Sequence, residues 1–595
     1  MRLKTALIAL GLVVFSMTVF AQSNQPPLRF QEERLGPMPP DVEKTVVSTD
    51  GCHVAFVVRH QDKFHVETDG QPGQEYDGVG VPIFSPDGKR VAYAAQKGDE
   101  WMVVVDGLPG PEYDGVAEDS PIFSPDGMRV AYAARNGEKW TVVMDGQSGP
   151  EYDKLDKPIF SPDSKRVAYQ AGIGEELVVV VDGQPSPGYR WIAIPSFEGS
   201  PIFSSDSKRV AYEAWIGEKM VVVVDGQPGP KYDWIAEGSL IFSPDGKRVA
   251  YAAHKGGEMT MVVDGQVGPE YDWTDALIFS PDGKRVAYEG WIGEKLVVVV
   301  DGQPGPKYDW IAEGSLIFSS DGMRVAYAVV DIGMARVVVD GQQGPEYDGI
   351  GEGNPIFSPD GQRMAYDARI DGKRIVVVDG QSGPEYDDIY DVITAGPIFS
   401  PDSKLVAYSA WTRVAKYRPL PEFSNKCVVV VDSVLGPEYE GIVKNSLKFS
   451  PNSKRVAYVA QKGDSCRNWA MNEWYWAVVT RGLGGVMMGH RVYAIAVVDG
   501  QPGPEYQAIT EGTPIFSPDS KHVAYAALKV NELLGLEFTR GLPIWMDDEW
   551  VVVVDGEPGP AYDRIMTGGP TFHDDGTLEF LAVRDNNLYR VKYLP

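Results

Sequence analysis

Cysteine is nearly missing from this chain: Cys52, Cys427 and Cys466 are the only three in 595 residues. An odd number so widely spaced is no disulfide framework, and the spacing matches no zinc motif. One Cys427–Cys466 bridge stays open as an alternative in an oxidising compartment. Histidine is scarce as well. His53, His60, His65, His254, His490, His522 and His573 show no HExxH or comparable metal spacing, and no Gly-x-Ser-x-Gly nucleophile elbow occurs. With these signatures absent, the chain reads as non-catalytic, with no cofactor and no metal. A metal-dependent lyase or hydrolase using His490, His522 and Asp547 is the lesser alternative. Positive charge is also short, 55 Lys and Arg against 84 Asp and Glu, a net −29. Such a surface repels phosphate backbones and anionic lipid heads, which excludes nucleic acid and favours basic or cationic partners. No long apolar run follows the first twenty residues, so no later segment is expected to span a bilayer.

Those first residues read as an export signal. Arg2 and Lys4 give a positive start, Ala6 to Phe20 is mostly apolar, and Val19 and Ala21 occupy the −3 and −1 positions of a cleavage site. The run is short for a membrane anchor. Residues 1–21 are therefore expected to be a signal peptide and the mature protein to be periplasmic or secreted. Cleavage removes two positive charges and no negative one, so −29 becomes −31.

What the chain has in abundance is internal repetition. The stretch Ile83-Phe-Ser-Pro-Asp-Gly-Lys-Arg-Val-Ala-Tyr93 recurs thirteen times, marked by Val47, Phe84, Phe123, Phe160, Phe203, Phe242, Phe279, Phe318, Phe357, Phe399, Phe449, Phe516 and Phe572. A period of about 40 residues with four strand signals is a propeller pattern. In each unit a short strand ends at Ile83-Phe84, and Ser85-Pro86-Asp87-Gly88 turns the chain. Arg90 to Ala95 makes a second strand and Met102 to Val105 a third, which stops at Asp106-Gly107. A weaker fourth surrounds Pro111 to Asp114, with proline and charge suited to an outer edge. Val221 to Val224 and Val297 to Val300 are unbroken β-branched runs, so both faces of the third strand should be buried, as between stacked blades.

The Phe-Ser-Pro-Asp-Gly-Lys-Arg-Val-Ala-Tyr core resembles the WD40-like repeat, often called PD40, of TolB-type propellers. The resemblance covers nearly everything from about Val46 onward and implies an all-β fold. It also implies a scaffold that docks other proteins of the bacterial cell envelope. TolB itself carries an α/β domain ahead of its propeller, for which the segment here is too short. PD40-type propellers also precede the hydrolase domain of prolyl-oligopeptidase-like peptidases, and no residues remain here for one.

Thirteen blades exceed the usual four to eight. The expected partition is therefore two tandem β-propellers of six plus seven blades. The first spans 22–302, with the boundary alternatively near 265, and the second 303–595 with enlarged loops. The chain stops at Val591-Lys-Tyr593, a third strand. Leu28 to Pro40, with Leu35-Gly36-Pro37, offers the missing fourth. Residues 203–278 and 279–354 begin with near-identical text, so the duplicated unit is two blades.

Three features mark candidate binding residues. Trp191, Trp215, Trp234, Trp273, Trp291, Trp310, Trp411, Trp469, Trp474, Trp476 and Trp545 lie in or beside the connections between strands two and three or between successive blades. There they would serve either as sugar-stacking and hot-spot surfaces or as plain caps on the blades. Glu118, Glu198, Glu237, Glu313, Glu352 and Glu511 recur five residues before the marker, with Asp156 and Asp275 one place later. They are expected to ring the mouth of each channel and attract a cation, an amine or a basic peptide. Enlarged connections at Arg413–Lys426, Asp464–Tyr493 and Lys529–Glu549 are consecutive and predict a docking patch on one face. The leading expectation is a scaffold for protein–protein interaction. Carbohydrate or small cationic ligand binding on the Trp-rich face is the alternative.

Overall fold

The structure, a computed structural model, describes residues 29–594 apart from 119, 190, 193–200, 352–353, 388–395, 418–420, 464–491 and 530–548. The signal segment, Glu198, Glu352, Cys466, Trp469, Trp474, Trp476, His490, Trp545 and Asp547 lie outside the described residues. So do most of the second and third enlarged connections.

Sheet two shows how the repeat folds. Its first strand is split into Gly78–Val79 and Ile83–Phe84, followed by Val91–Lys97, Glu100–Val105 and Leu108–Pro109, all antiparallel. The Tyr113–Trp101 bridge extends the last pairing. Hydrogen bonds explain the recurring letters. The Ser85 hydroxyl donates to Asp87 Oδ1 at 2.6 Å, and the Arg90 amide donates back to Ser85 Oγ at 3.0 Å, closing the first turn. Asp106 and Gly107, at φ 51° and 78°, form the tight left-handed turn that strand twist favours. Asp106 Oδ1 accepts from the Val91 amide at 3.0 Å, while Oδ2 accepts from Arg90 Nε at 2.8 Å. The same guanidinium donates to the Met128 carbonyl of the next sheet at 2.7 Å and lies 5.5 Å from the Phe123 ring. One arginine thus ties its own third strand to the neighbouring sheet.

Among the described residues there are thirteen sheets of this kind and no helix. The all-β propeller arrangement expected from the repeat is what the chain adopts. Both faces of the central strands are covered, as the valine runs require: Val222 packs toward sheet six and Val223 toward sheet four, 1% and 0% exposed. Between sheets, the tyrosine of one fourth strand meets the tyrosine of the next second strand edge-on, as Tyr271 meets Tyr288 at 6.2 Å and 81°. Tyr288 is 2% exposed. Tyr288→Ala is expected to cost about 3–5 kcal/mol in urea unfolding. Tyr288→Phe should keep most of that stability, since the ring does the packing.

The expected partition into rings of six and seven is not shown. Apolar cores unite sheets six and seven through Met259, Tyr271 and Tyr288, and sheets seven and eight through Leu296, Tyr308 and Tyr327. Both candidate boundaries, near Gly265 and Gly302, therefore lie inside continuous packing. The thirteenth sheet instead packs on the first, through Leu581, Val583 and Leu588 against Val54, Phe56 and Val58. The spare N-terminal segment does become a fourth strand. Arg29–Pro37 pairs with Asn587–Leu594 of the last sheet, as its unpartnered third strand requires. Each sheet packs on its chain neighbour and the last on the first, so the circuit closes once.

Candidate functional site

The turns between strands two and three and the crossings from strand four to the next sheet share one rim. Pairing registers prove it: Trp234 opens the first strand of sheet six opposite His254, two residues before the Gly256–Gly257 turn. Four tryptophans with described side chains line this rim in succession across sheets six to eight. Trp234 stacks on His254 at 5.1 Å and 15°, and lies 6.1 Å from Trp273. Trp273 pairs across the strand with Trp291, whose ring is 6.1 Å from Trp310. Trp215 of sheet five packs into the same core as Trp234. Trp273 and Trp310 are 46% and 50% exposed, large apolar faces left to solvent. Trp191 pairs by its backbone with Trp215. Trp411 is different. It is 4% exposed and belongs to the core between sheets ten and eleven, so it is no rim platform.

Beneath the tryptophans lie carboxylates. Asp275 stands directly opposite Glu289 in sheet seven, two residues in from the Trp273–Trp291 pair and therefore on the same sheet face. Like charges so placed repel. Burial, with the charges of Asp275 and Glu313, pushes Glu289 up to about 7. Glu213 in sheet five is likewise pushed up to about 7 by burial and by Glu237.

Where they are described, the recurring acids of sheets six and eight lie between the two halves of a first strand rather than ahead of it. Glu237 and Glu313 sit on a turn that interrupts the first strand partway along. The Ser239 and Ser315 amides bond back to Ala236 and Ala312, and the serine hydroxyls take over the pairing with Ala252 and Ala328. Glu118 occupies the same kind of turn, with Ser120 in the serine place. The spacing of five residues placed the acids correctly in sequence, but the strand had already begun. Asp156 directly follows the Lys154–Leu155 segment of the first strand of sheet four, where partial desolvation raises its carboxyl. Glu511 lines a cleft of about 780 Å³ between the first strands of sheets twelve and thirteen, with Phe516, Trp550, Met566, Pro570 and Phe572.

The first enlarged connection is an extended hairpin, Val406–Tyr417 paired with Pro421–Val431 down to Tyr417 opposite Pro421. The others leave from the same rim, after Gly463 and Lys529. His522 directly precedes its strand, Val523–Leu528, at the end away from that exit, bonded through Nδ1 to Asp555 at 2.6 Å; the other residues of the metal alternative, His490 and Asp547, lie outside the described residues.

A further cluster was not anticipated. Where the last sheet meets the first, His573 Nε2 lies 3.6 Å from Cys52 Sγ and 3.4 Å from Glu579 Oε2. Cys52 and Glu579 are buried, 3% and 7% exposed. Burial, with Glu579 and Asp50 nearby, pushes the Cys52 thiol up to about 12. His53 belongs to this joint: its Nδ1 meets Asp69 at 2.6 Å, and Arg590 reaches both residues. His60 is exposed and paired with Glu75.

No family model and no curated protein matches the chain. Among solved structures it is similar to a crystal structure of the eukaryotic initiation factor, at 12% identity and TM-score 0.28, covering 59% of this chain and 96% of that one. It is similar to the tricorn protease at 12% and 0.22, covering 92% and 60%. It is also similar to TolB from Acinetobacter baumannii, at 17% and 0.19, covering 51% and 78%. Scores of this size carry no argument about activity, and the functional reading rests on the chain's own residues.

Proposed function

We propose that this chain is a non-catalytic binding scaffold of the bacterial cell envelope, exported by its N-terminal signal, that takes a basic protein partner on the rim of sheets five to eight. The observation that supports the reading most is the stacking of two kinds of recognition in one place. Exposed tryptophans offer faces for a lysine or arginine head, and the opposed Asp275–Glu289 pair gains from any cation that enters beneath them. The net charge of −29 steers such a partner inward without choosing the site.

The test is calorimetric titration with a lysine-rich peptide and a neutral control of equal length. Trp273→Ala/Trp310→Ala leaves the charge unchanged and is expected to weaken peptide binding at least about tenfold, in the range seen for interface aromatics. Equal binding by wild type and variant would reduce the attraction to general acidity and remove the rim from consideration.

A second reading, a carbohydrate or other small ligand, draws on the cleft between sheets twelve and thirteen. Its volume of about 780 Å³ and its aromatic lining suit such a ligand. A glycan screen in which Trp550→Ala abolishes a hit would favour it over the rim.

A further inference from the structure

The repeat supplies its own reference for what each position needs. At the position of Ser85, twelve sheets carry serine and the thirteenth carries His573. At the position of Ala92, twelve sheets bury alanine and the thirteenth buries Glu579. At the position of Lys89 the other sheets with an equivalent residue carry lysine, methionine, glutamine or threonine, and the first carries Cys52. These three departures fall in two sheets at opposite ends of the chain, yet their sulfur, nitrogen and oxygen atoms all lie within 4.8 Å of one another.

The spacing is informative. Ligands at about 2.3 Å (sulfur) and 2.0–2.1 Å (nitrogen, oxygen) from a tetrahedral zinc ion stand about 3.5 Å apart for sulfur–nitrogen and about 3.3 Å for nitrogen–oxygen. The observed separations are 3.6 Å and 3.4 Å. A Cys–His–Glu proton relay would use both ring nitrogens, one toward the thiol and one toward the carboxylate. Here Nε2 faces both, as a shared ligand centre demands. Nor is the cluster explained by its neighbouring cations. Arg590 Nε and Lys592 Nζ stand 3.4 Å and 3.2 Å from Glu579, longer than strong charge-assisted bonds, whereas Arg590 makes its short contact, 2.8 Å, with Asp69. The Glu579 carboxylate retains ligand capacity.

We propose that Cys52, His573 and Glu579 bind a zinc-type divalent cation at the joint between the last and first sheets. Thiolate and carboxylate together match the 2+ charge, and the thiol proton leaves to solvent on binding. His573, partly exposed, gives the entry side. A bound ion would tie residue 52 to residues 573 and 579, reinforcing the closure made by Arg29–Pro37.

The full chain, chelator-stripped and with thiols reduced, is titrated with cobalt(II) and then zinc(II). One equivalent of cobalt is expected to give a thiolate-to-metal charge-transfer band with tetrahedral ligand-field intensity, displaced by zinc. Cys52→Ser should abolish the band, while a Cys427→Ser/Cys466→Ser variant keeps it. Cys52→Lys/His573→Ser/Glu579→Ala, which restores the residues other sheets use, should fold and bind at least about 100-fold more weakly. Zinc should raise the unfolding midpoint of wild type and not of that triple variant. Wild type without the band, or a band surviving in Cys52→Ser, overturns the proposal.

Discussion

Deletion of residues 29–37 is expected to lower stability by about 5 kcal/mol or more and to expose the last sheet to exchange. The segment is not a tail. Eight of its residues pair with Asn587–Leu594, and its loss leaves a bare strand edge. Phe30 packs on Phe580 and Tyr593, at 6.5 Å and 5.5 Å between rings. Glu32 accepts two bonds from Arg584, at 2.9 Å and 2.6 Å, and a third from the Tyr562 hydroxyl at 2.7 Å. Because this strand completes the sheet that packs on the first, the loss reaches the joint as well as the strand. Two milder changes grade the effect. Phe30→Ala should cost about 3 kcal/mol through lost packing, and Glu32→Ala about 2 kcal/mol by stranding the Tyr562 hydroxyl. Urea unfolding midpoints, with hydrogen exchange at 587–594, provide the check. An unchanged midpoint in the shortened chain would mean that this strand does not close the circuit.

The second large effect is on pH. Glu213 and Glu289 titrate at about 7 in the folded chain against an ordinary 4.5. Between those values the folded state holds protons that the unfolded state has released. The stability this contributes is complete below 4.5 and is lost as pH rises through 7. Glu213→Gln/Glu289→Gln keeps the neutral form at every pH. At pH 8 it should be more stable than wild type by about 2 kcal/mol or more, and at pH 4 nearly equal. Comparing the two proteins cancels the other titrating groups that both share. The same carboxylates should make peptide binding on the rim strengthen from pH 5 to pH 8. A wild-type-to-variant difference that does not change with pH would show these side chains to be hydrated.

Much of this was readable from one unit of sequence. Phe-Ser-Pro-Asp-Gly, Arg-Val-Ala-Tyr and Val-Val-Asp-Gly each specify a local structure, and Leu35-Gly36-Pro37 marked a fourth strand waiting for its sheet. The number of rings was not readable. Most joints repeat the same Tyr-on-Tyr and Arg-on-Phe chemistry, so little in any one unit says where a circuit ends. Closure is a sum of small rotations between neighbours. The start of the first strand was not legible, because Ala236-Glu-Gly-Ser239 reads as a loop before a strand, although Trp234-Ile235 had already begun it. The Cys52 cluster escaped motif reading because 521 positions separate Cys52 from His573. Its signal was present all the same, as three letters that break a text repeated thirteen times.

The guanidinium that ties neighbouring sheets is not everywhere. Leu405 takes its place in sheet ten, His53 and His522 in sheets one and twelve, and Thr577 in the shortened turn of sheet thirteen. A closed band under thermal load parts where its fastenings are fewest. The tenth joint has no guanidinium; it keeps the Asp402–Ser453 bond and the Lys426–Glu440 ion pair among the described residues and depends on the apolar mass around Trp411. Breathing of the band should therefore be uneven around its circumference, concentrated beside the long hairpin at Val406–Val431 and quiet along the arc that carries the exposed tryptophans.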